Sequence, residues 1–465
     1  MEITLYVTDE VNCRFSNILV EHRRKLTEKF KVEVPGVRYT PAVRLGRWDG
    51  KVSFFSLAGS TYINLLPEIL PMLDDWGYDV VVEDVREYPA SFSFDLVDEN
   101  TFANKTWPKG HLLEDQPIIL RDYQVNHINK FLSNTQSMQE IATGAGKTII
   151  TAALSQKCEK YGRTIVIVPN KSLVMQTEED YINLGLDVGV FFGDRKEYNR
   201  THTICTWQSL NNLMKGTSSS DEAISLSEFL DQVVCVIIDE VHAAKAAALK
   251  TLLSGPMSHI PIRWGLTGTI PKEEHDILVL RTCIGEVVDK LAAHTLQEQG
   301  VLSDCHVNII QLMDYAEFTD YQKELKYLTS TPQRVEFIGT LIDKISESGN
   351  TLVLVDRIAT GDMLQEFLSK HKTNNLNSEI LFVRGSTKAT ERKDNYDEIA
   401  TNDNQIMIAT YGVAAVGINI VRLHNVVLIE PGKSFVRTIQ SIGRGLRKGG
   451  DKNHVDIWDI TSTCK

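Results

Sequence analysis

Ala142-Thr143-Gly144-Ala145-Gly146-Lys147-Thr148 decides the fold class of this chain, because the apolar run Val233-Val234-Cys235-Val236-Ile237-Ile238 ending in Asp239-Glu240 follows it. The first stretch leaves a weak strand signal, Ser137 to Ile141, and enters a helical one, Thr148 to Leu154. Gly144 and Gly146 let backbone N–H groups turn toward phosphate, and a helix N-terminus favours the anion. Thr143, Gly144, Ala145 and Gly146 therefore read as a cradle for a nucleoside triphosphate, ATP. Lys147 would reach its β- and γ-phosphates, and the Thr148 hydroxyl would bind Mg2+. A strict phosphate loop has Gly where this chain has Ile141, so an ordinary Gly-rich turn is the competing reading of the motif alone.

Asp239 and Glu240 close a strand with no period-two alternation, which places two carboxylates at the carboxyl edge of a parallel sheet. There Asp239 would hold Mg2+, and Glu240 would orient and deprotonate the attacking water. The bland alternative is an acidic pair capping the next helix. Farther on, Gln440-Ser441-Ile442-Gly443-Arg444-Gly445-Leu446-Arg447 puts Arg444 and Arg447 three apart, on one helix face. Arginines at a γ-phosphate can contribute roughly 10³–10⁵ in rate. A solvated basic helix end, helped by Lys448, is the other reading. Leu120-Arg121-Asp122-Tyr123-Gln124 precedes the phosphate loop. Gln124 carries both a donor and an acceptor, which suits an adenine edge, but a capped helix start would look the same.

Five apolar runs fit strands covered on both faces: Thr164 to Val168, Val233 to Ile238, Thr351 to Val355, Ile406 to Ala409 and Asn425 to Ile429. Alternating with helical stretches, they predict an α/β fold with two parallel-sheet domains in tandem. The expected boundaries are 113–290 for the first, which carries Lys147 and Asp239, and 331–465 for the second, which carries Arg444 and Arg447. Residues 291–330 are expected to connect them. Residues 1–112 have more turn punctuation and no phosphate loop, and read as a small α+β domain.

Bulk properties set the limits. At 465 residues the chain is too long for one core of typical size. The net charge of -12 argues against a basic surface throughout, not against a local basic groove. Between Ile18 and Lys51, nine basic residues face four acidic ones, an electrostatic footprint against that background. Arg44, Arg47 and Lys51 are its candidate nucleic-acid contacts, with Tyr39 and Trp48 available for stacking. A solvated helix from Glu21 to Phe30 and a core Trp48 in an Asp-Gly hairpin would also account for it. The seven cysteines never form Cys-x-x-Cys, so neither a zinc site nor a disulfide framework is expected. Without a signal peptide or an apolar run approaching roughly 20 residues, the expected compartment is the cytosol, with no membrane partner.

Together these stretches resemble the superfamily 2 helicases, in order, over residues 118 to 461. Arg121 to Gln124 looks like the adenine-reading Q motif and Ala142 to Thr148 like motif I. Val168-Pro169-Asn170-Lys171 looks like motif Ia, and Thr206-Trp207-Gln208 like the next strand-contacting motif. Asp239-Glu240-Val241-His242 is motif II of the DExH type, and Thr267-Gly268-Thr269 looks like motif III. Val355-Asp356-Arg357 falls at motif IV, Ala409 to Asn419 looks like motif V, and Gln440 to Arg447 is motif VI. Motif V ends in Gly417-Ile418-Asn419, where many members have Asp.

The fold this implies is two tandem RecA-like motor domains behind a small α+β N-terminal domain. By the same resemblance Arg121, Gln124 and Gly417 contact nucleotide, and Gln440 joins the catalytic set. Lys171, Thr206, Arg357 and Thr410 become candidate phosphate contacts, of the kind that track any sequence. Within the superfamily, Pro35-Gly36-Val37-Arg38-Tyr39 and Arg44-Leu45-Gly46-Arg47-Trp48-Asp49-Gly50-Lys51 resemble the N-terminal domain of the phage UvsW-type branch-migration helicases. That implies a monomeric motor on single-stranded, duplex and branched DNA, in phage replication, recombination and repair, with recombination or single-strand-binding proteins as conceivable partners. RNA as the track and a restriction-type translocase subunit are the alternatives left open, while Glu240, Arg444 and Arg447 argue against an ATP-operated switch.

Overall fold

The computed structural model describes all residues except 87–91, 110, 112, 217–223, 243–246, 374–378, 388–390, 392–394, 397, 400, 418–421, 430–453 and 465. The chain divides into two compact units: Met1–Ile141 with Gly146–Lys290, and Ala142–Ala145 with Leu291–Lys465. Among the described residues no helix is long and apolar enough to cross a membrane.

The first unit begins with a mixed four-stranded sheet in the order β5-β2-β1-β6. Its strands are β1 (Glu2–Val7), β2 (Asn12–Ser16), β5 (Ser60–Tyr62) and β6 (Asp79–Asp84). Alternation along β1 sends Ile3, Leu5 and Val7 inward, where they meet Leu26, Phe30, Phe55, Ile69 and Leu73. A separate ribbon pairs β3 (Lys31–Glu33) with β4 (Lys51–Ser53). The Trp48-Asp49-Gly50 turn is therefore not a tight hairpin. Its strands are joined by a longer connection containing the helix Pro41–Arg44. Trp48 is half-buried, not a core residue, and its indole N–H donates to the Lys51 carbonyl at 2.8 Å.

The mixed sheet ends at Asp84, well before the expected boundary at 112. From residue 92 the chain runs irregularly onto the first unit's second, larger sheet, where Phe92 and Phe94 pack on Tyr161 and Phe94 on Trp264. Such a stretch has no periodicity to mark which domain it covers.

That larger sheet has eight strands in the order β10-β9-β11-β8-β12-β13-β7-β14. They are β7 (Gln136–Ile141), β8 (Arg163–Val168), β9 (Val188–Phe192), β10 (Arg195–Lys196), β11 (His202–Thr206), β12 (Val233–Asp239), β13 (Ile262–Thr267) and β14 (Glu286–Leu291). The pairs β8–β12, β12–β13 and β13–β7 are parallel. β12 is buried along its whole length except at Asp239, which is why its sequence is a continuous apolar run.

The N-terminal domain docks on this sheet's helices. Val279, from the helix Glu274–Cys283, completes the N-terminal core. Glu10 N–H donates to the Ser258 carbonyl at 2.9 Å, Asn12 Nδ2 to the Ser254 carbonyl at 2.9 Å, and Arg281 pairs with Glu68. Beneath the junction lies Arg263, fully buried. It donates to the carbonyls of Cys283, Met257 and Leu253, each at 2.7 Å.

The second unit holds a six-stranded sheet in the order β15-β20-β19-β16-β18-β17, with all five neighbouring pairs parallel. The strands are β15 (Asp304–Leu312), β16 (Thr351–Val355), β17 (Leu381–Val383), β18 (Ile406–Thr410), β19 (Asn425–Leu428) and β20 (His454–Ser462). Ile338 and Ile342 of the helix Pro332–Ser346 and Leu364 and Leu368 of the helix Ile358–His371 pack on Val353, Ile408 and Val427. Residues 291–330, expected as a connection, instead supply β15 and the helix Tyr321–Ser330 to this unit. β15 is an edge strand with many exposed positions, so it lacks the apolar run that marks its buried neighbours.

Candidate functional site

The phosphate-loop segment leaves β7 and enters the helix Lys147–Cys158. Gly144 and Gly146 take φ of 89° and 84°, values that L side chains rarely adopt, so the two glycines are there for the turn itself. At Gly146 space also matters. A Cβ there would stand 2.5 Å from Gln124 Nε2, so the Gln124 amide lies directly against the loop.

Gln124 is buried, and its Oε1 accepts the Arg121 backbone N–H at 2.9 Å, capping the helix Asp122–Leu132. The cap and the approach to the phosphate loop thus coexist in one residue. The Arg121 guanidinium turns to the Tyr123 hydroxyl, at 2.9 Å.

Lys147 and Glu240 meet across the sheet edge. Lys147 Nζ lies 2.8 Å from Glu240 Oε1, with both side chains nearly buried. Glu240 sits just past β12 with φ of 54°, an uncommon conformation for a residue with a side chain. Its backbone N–H donates to Asp239 Oδ1 at 2.9 Å, which fixes the Asp239 carboxylate at the strand end.

Strand β13 stands between β7 and β12, and its last residue, Thr267, joins the network. The Thr267 hydroxyl lies 3.3 Å from Glu240 Oε2 and 3.0 Å from His242 Nδ1, and the Thr269 N–H donates to it at 3.2 Å. Lys147, Glu240, Thr267 and His242 are therefore one connected polar group. Thr267 and His242 fall inside stretches that resemble motifs III and II but are absent from the candidate set. A lone Thr in a short motif gives no sign that its hydroxyl reaches Glu240, just past another strand, and His242 in turn.

The expected nucleic-acid contacts fall at carboxyl ends of parallel strands in each sheet. Lys171, exposed, opens the helix that follows β8, and Thr206 ends β11. Thr206 is buried, and its hydroxyl caps the next helix through the Ser209 N–H at 3.4 Å. In the second unit Arg357 stands at the N-cap position of the helix after β16, without a side-chain capping bond, and Thr410 ends β18, both half-buried. Arg44, Arg47 and Lys51 are exposed and form no close side-chain ion pair among the described residues, although Lys51 donates its backbone N–H to Asp49 and acts on Glu33 at longer range. Their basic neighbours do form such pairs: Lys25 pairs with Glu21, Lys31 with Asp49 and Arg38 with Glu33. Gly417 ends the helix Tyr411–Gly417. Gln440, Arg444 and Arg447 lie outside the described residues.

Two family models match the chain: "Type III restriction enzyme, res subunit" over residues 117–272 and "Helicase conserved C-terminal domain" over residues 333–449. Together with the two α/β units and the motif order, they place the chain in the superfamily 2 helicases, as an ATP-dependent enzyme.

Among its relatives is the ATP-dependent DNA helicase uvsW of Enterobacteria phage T4, 25% identical over 459 residues, which span 95% of this chain and 87% of that one. The putative ATP-dependent helicase IRC3 of Saccharomyces cerevisiae is 24% identical over 74% of this chain and 51% of its own length. The DNA 3'-5' helicase XPB of Mycobacterium tuberculosis is 25% identical over 61% and 50%. In fold, the chain is similar to the crystal structure of T4 UvsW, with a TM-score of 0.50 at 22% identity over 99% of this chain and 90% of that one. It is also similar to a fragment of a putative HsdR subunit of a type I restriction enzyme from Vibrio vulnificus, with a TM-score of 0.56 at 19% identity over 78% and 67%.

Proposed function

We propose that this helicase is a DNA motor that remodels branched substrates: four-way junctions, displacement loops and forks. The observation that carries the ATP chemistry is the buried Lys147–Glu240 pair beside Asp239. ATP phosphates would lie on the backbone N–H groups of Thr143 to Gly146 and draw Lys147 from Glu240. The freed Glu240, still beside Thr267, would take the proton of the attacking water. The donors Asp239 and Thr148 are hard oxygens, which fit Mg2+. When bound, that ion would offset phosphate charge. Gln124, held against Gly146, would read the adenine together with Arg121. Gly417, Gln440, Arg444 and Arg447 complete the set that the motifs assign.

The choice of branched DNA rests on the N-terminal domain. Its exposed Arg44, Arg47 and Lys51 belong to the part of the chain that the likeness to phage T4 uvsW also spans. Lys171, Thr206, Arg357 and Thr410 would track the strand backbone, Thr206 through its main chain because its hydroxyl caps a helix. The test is ATP turnover by the full chain with single-stranded, duplex and four-way-junction DNA and with single-stranded RNA. Strongest stimulation by the junction supports this reading, and stimulation by RNA alone overturns it.

A further inference from the structure

We propose that His306, His454 and Asp456 form a binding site for a divalent transition-metal ion of the zinc class, at the edge of the second unit's sheet. The register of the parallel β15–β20 pair builds it. His306 stands opposite Asp456, and Asp304 opposite His454. Residues two apart on a strand share a face, so all four project from one side.

One ligand atom from each of His306, His454 and Asp456 lies within 4.8 Å of the other two. His306 Nδ1 is 3.7 Å from Asp456 Oδ1, and His454 Nε2 is 3.6 Å from Asp456 Oδ2. These gaps are too long for hydrogen bonds. They are close to the roughly 3.4 Å that separates donors in a tetrahedral site with bonds of about 2.0–2.1 Å. The imidazoles also converge, with ring centroids 5.4 Å apart. Two imidazoles and one carboxylate suit zinc, nickel or cobalt, not magnesium. The Asn308 amide, 3.4 Å from Asp456 Oδ1, is placed to orient the carboxylate. A fourth position stays open to solvent, because His306 and His454 are exposed.

The consequence is mechanical. β15 is the first strand of the second unit's sheet in chain order and lies at its edge, and β20 is the last. An ion bound here fastens one to the other. This site is independent of the ATP chemistry proposed for Lys147 and Glu240, so failure of either reading leaves the other intact.

The experiment is a calorimetric titration of Zn2+ into the full-length protein, stripped with a chelator and held in excess Mg2+. One equivalent should bind at micromolar concentration and raise the melting temperature. His306→Ala and His454→Ala should each weaken binding at least about tenfold, since even an outer-sphere partner is worth that much. Neither should change ATP turnover, which also shows that the variants are folded. Single-equivalent binding that survives in the His306→Ala/His454→Ala double variant would overturn the proposal. So would wild-type binding no tighter than that of the double variant, or Mg2+ competing for the site.

Discussion

Lys147 Nζ and Glu240 Oε1 stand 2.8 Å apart, nearly excluded from solvent, and Thr267 holds the other Glu240 oxygen. A buried charge pair is lost at high cost if only one member is removed. In this geometry the lysine that should meet phosphate and the carboxylate that should activate water neutralise each other. Binding of ATP would separate them, so the base becomes available when substrate is present. Lys147→Ala should remove ATP binding as well as turnover. Glu240→Gln should keep ATP binding and lower turnover by about 10²–10⁴. Equilibrium binding of a fluorescent ATP analogue, beside steady-state hydrolysis, separates the two. A Glu240→Gln enzyme with near-normal turnover removes Glu240 from the base role.

Thr267 links the carboxylate to His242 through one hydroxyl. Thr267→Val keeps the volume and removes the bridge. Turnover should fall by about tenfold or more, since one hydrogen bond to a charged group is worth about 1.5–3 kcal/mol, while ATP affinity changes little. Equal losses in turnover and affinity would show that the bridge only supports the fold.

Arg263 is fully buried, and burial pushes its guanidinium down to about 10, while the backbone carbonyls of Cys283, Met257 and Leu253 accept hydrogen bonds from it. Arg263→Met removes those donors, with the Met257 carbonyl keeping only the Ile260 N–H at 3.3 Å, and should cost about 3 kcal/mol or more. The N-terminal domain rests on the same backbone through Ser254 and Ser258. Limited proteolysis between residues 84 and 121 should therefore accelerate in this variant. An unchanged digestion rate would separate Arg263 from docking.

How far the chain could be read from residues alone varied with burial. β12 and β16 are buried along nearly their whole lengths, so their sequences are continuous apolar runs. β15 pairs over nine residues with β20, yet its exposed Val307 and Ile309 and its polar positions broke the pattern. In the site, Lys147, Asp239 and Glu240 were legible because phosphate chemistry demands those residue types beside Gly-rich backbone or at a strand end. The Thr267 bridge to Glu240 and His242 was not, because it joins side chains from two strands and no spacing rule announces it. The charged surface was legible only as an excess. Which lysines and arginines remain after local pairing, Arg44, Arg47 and Lys51 among them, depends on neighbours such as Glu33 and Asp49.

His127 and His202 contribute to the pH dependence of stability, as does His111. Burial holds His127 and His202 below their ordinary 6.5, more than the Gln139 and Asp289 contacts of His127 or the Glu159 contact of His202 raise them. The folded chain thus keeps them neutral while the unfolded chain takes up protons near 6.5. Stability is full above that value and falls as pH drops below it. Thermal melts from pH 7.5 down to 5.5 should show a declining midpoint, with a shallower decline for His127→Gln. A midpoint that rises on acidification contradicts the assignment.

Arg44, Arg47 and Lys51 should act through phosphates. Changing all three to Ala should weaken junction-DNA binding and reduce the slope of log affinity against log salt by about 2 to 3. ATP turnover without nucleic acid should be unchanged. An unaltered salt slope would mean that this face of the N-terminal domain does not grip DNA.

The most direct measurement is ATP hydrolysis by the full chain, at fixed salt and matched nucleotide concentration, without nucleic acid and then with single-stranded DNA, duplex DNA, a four-way junction and single-stranded RNA. A branched-DNA motor gives its greatest stimulation with the junction. It also loses most of that excess when Arg44, Arg47 and Lys51 are replaced by Ala. Stimulation by RNA alone, or equal stimulation by every DNA with no effect of the three substitutions, would contradict it.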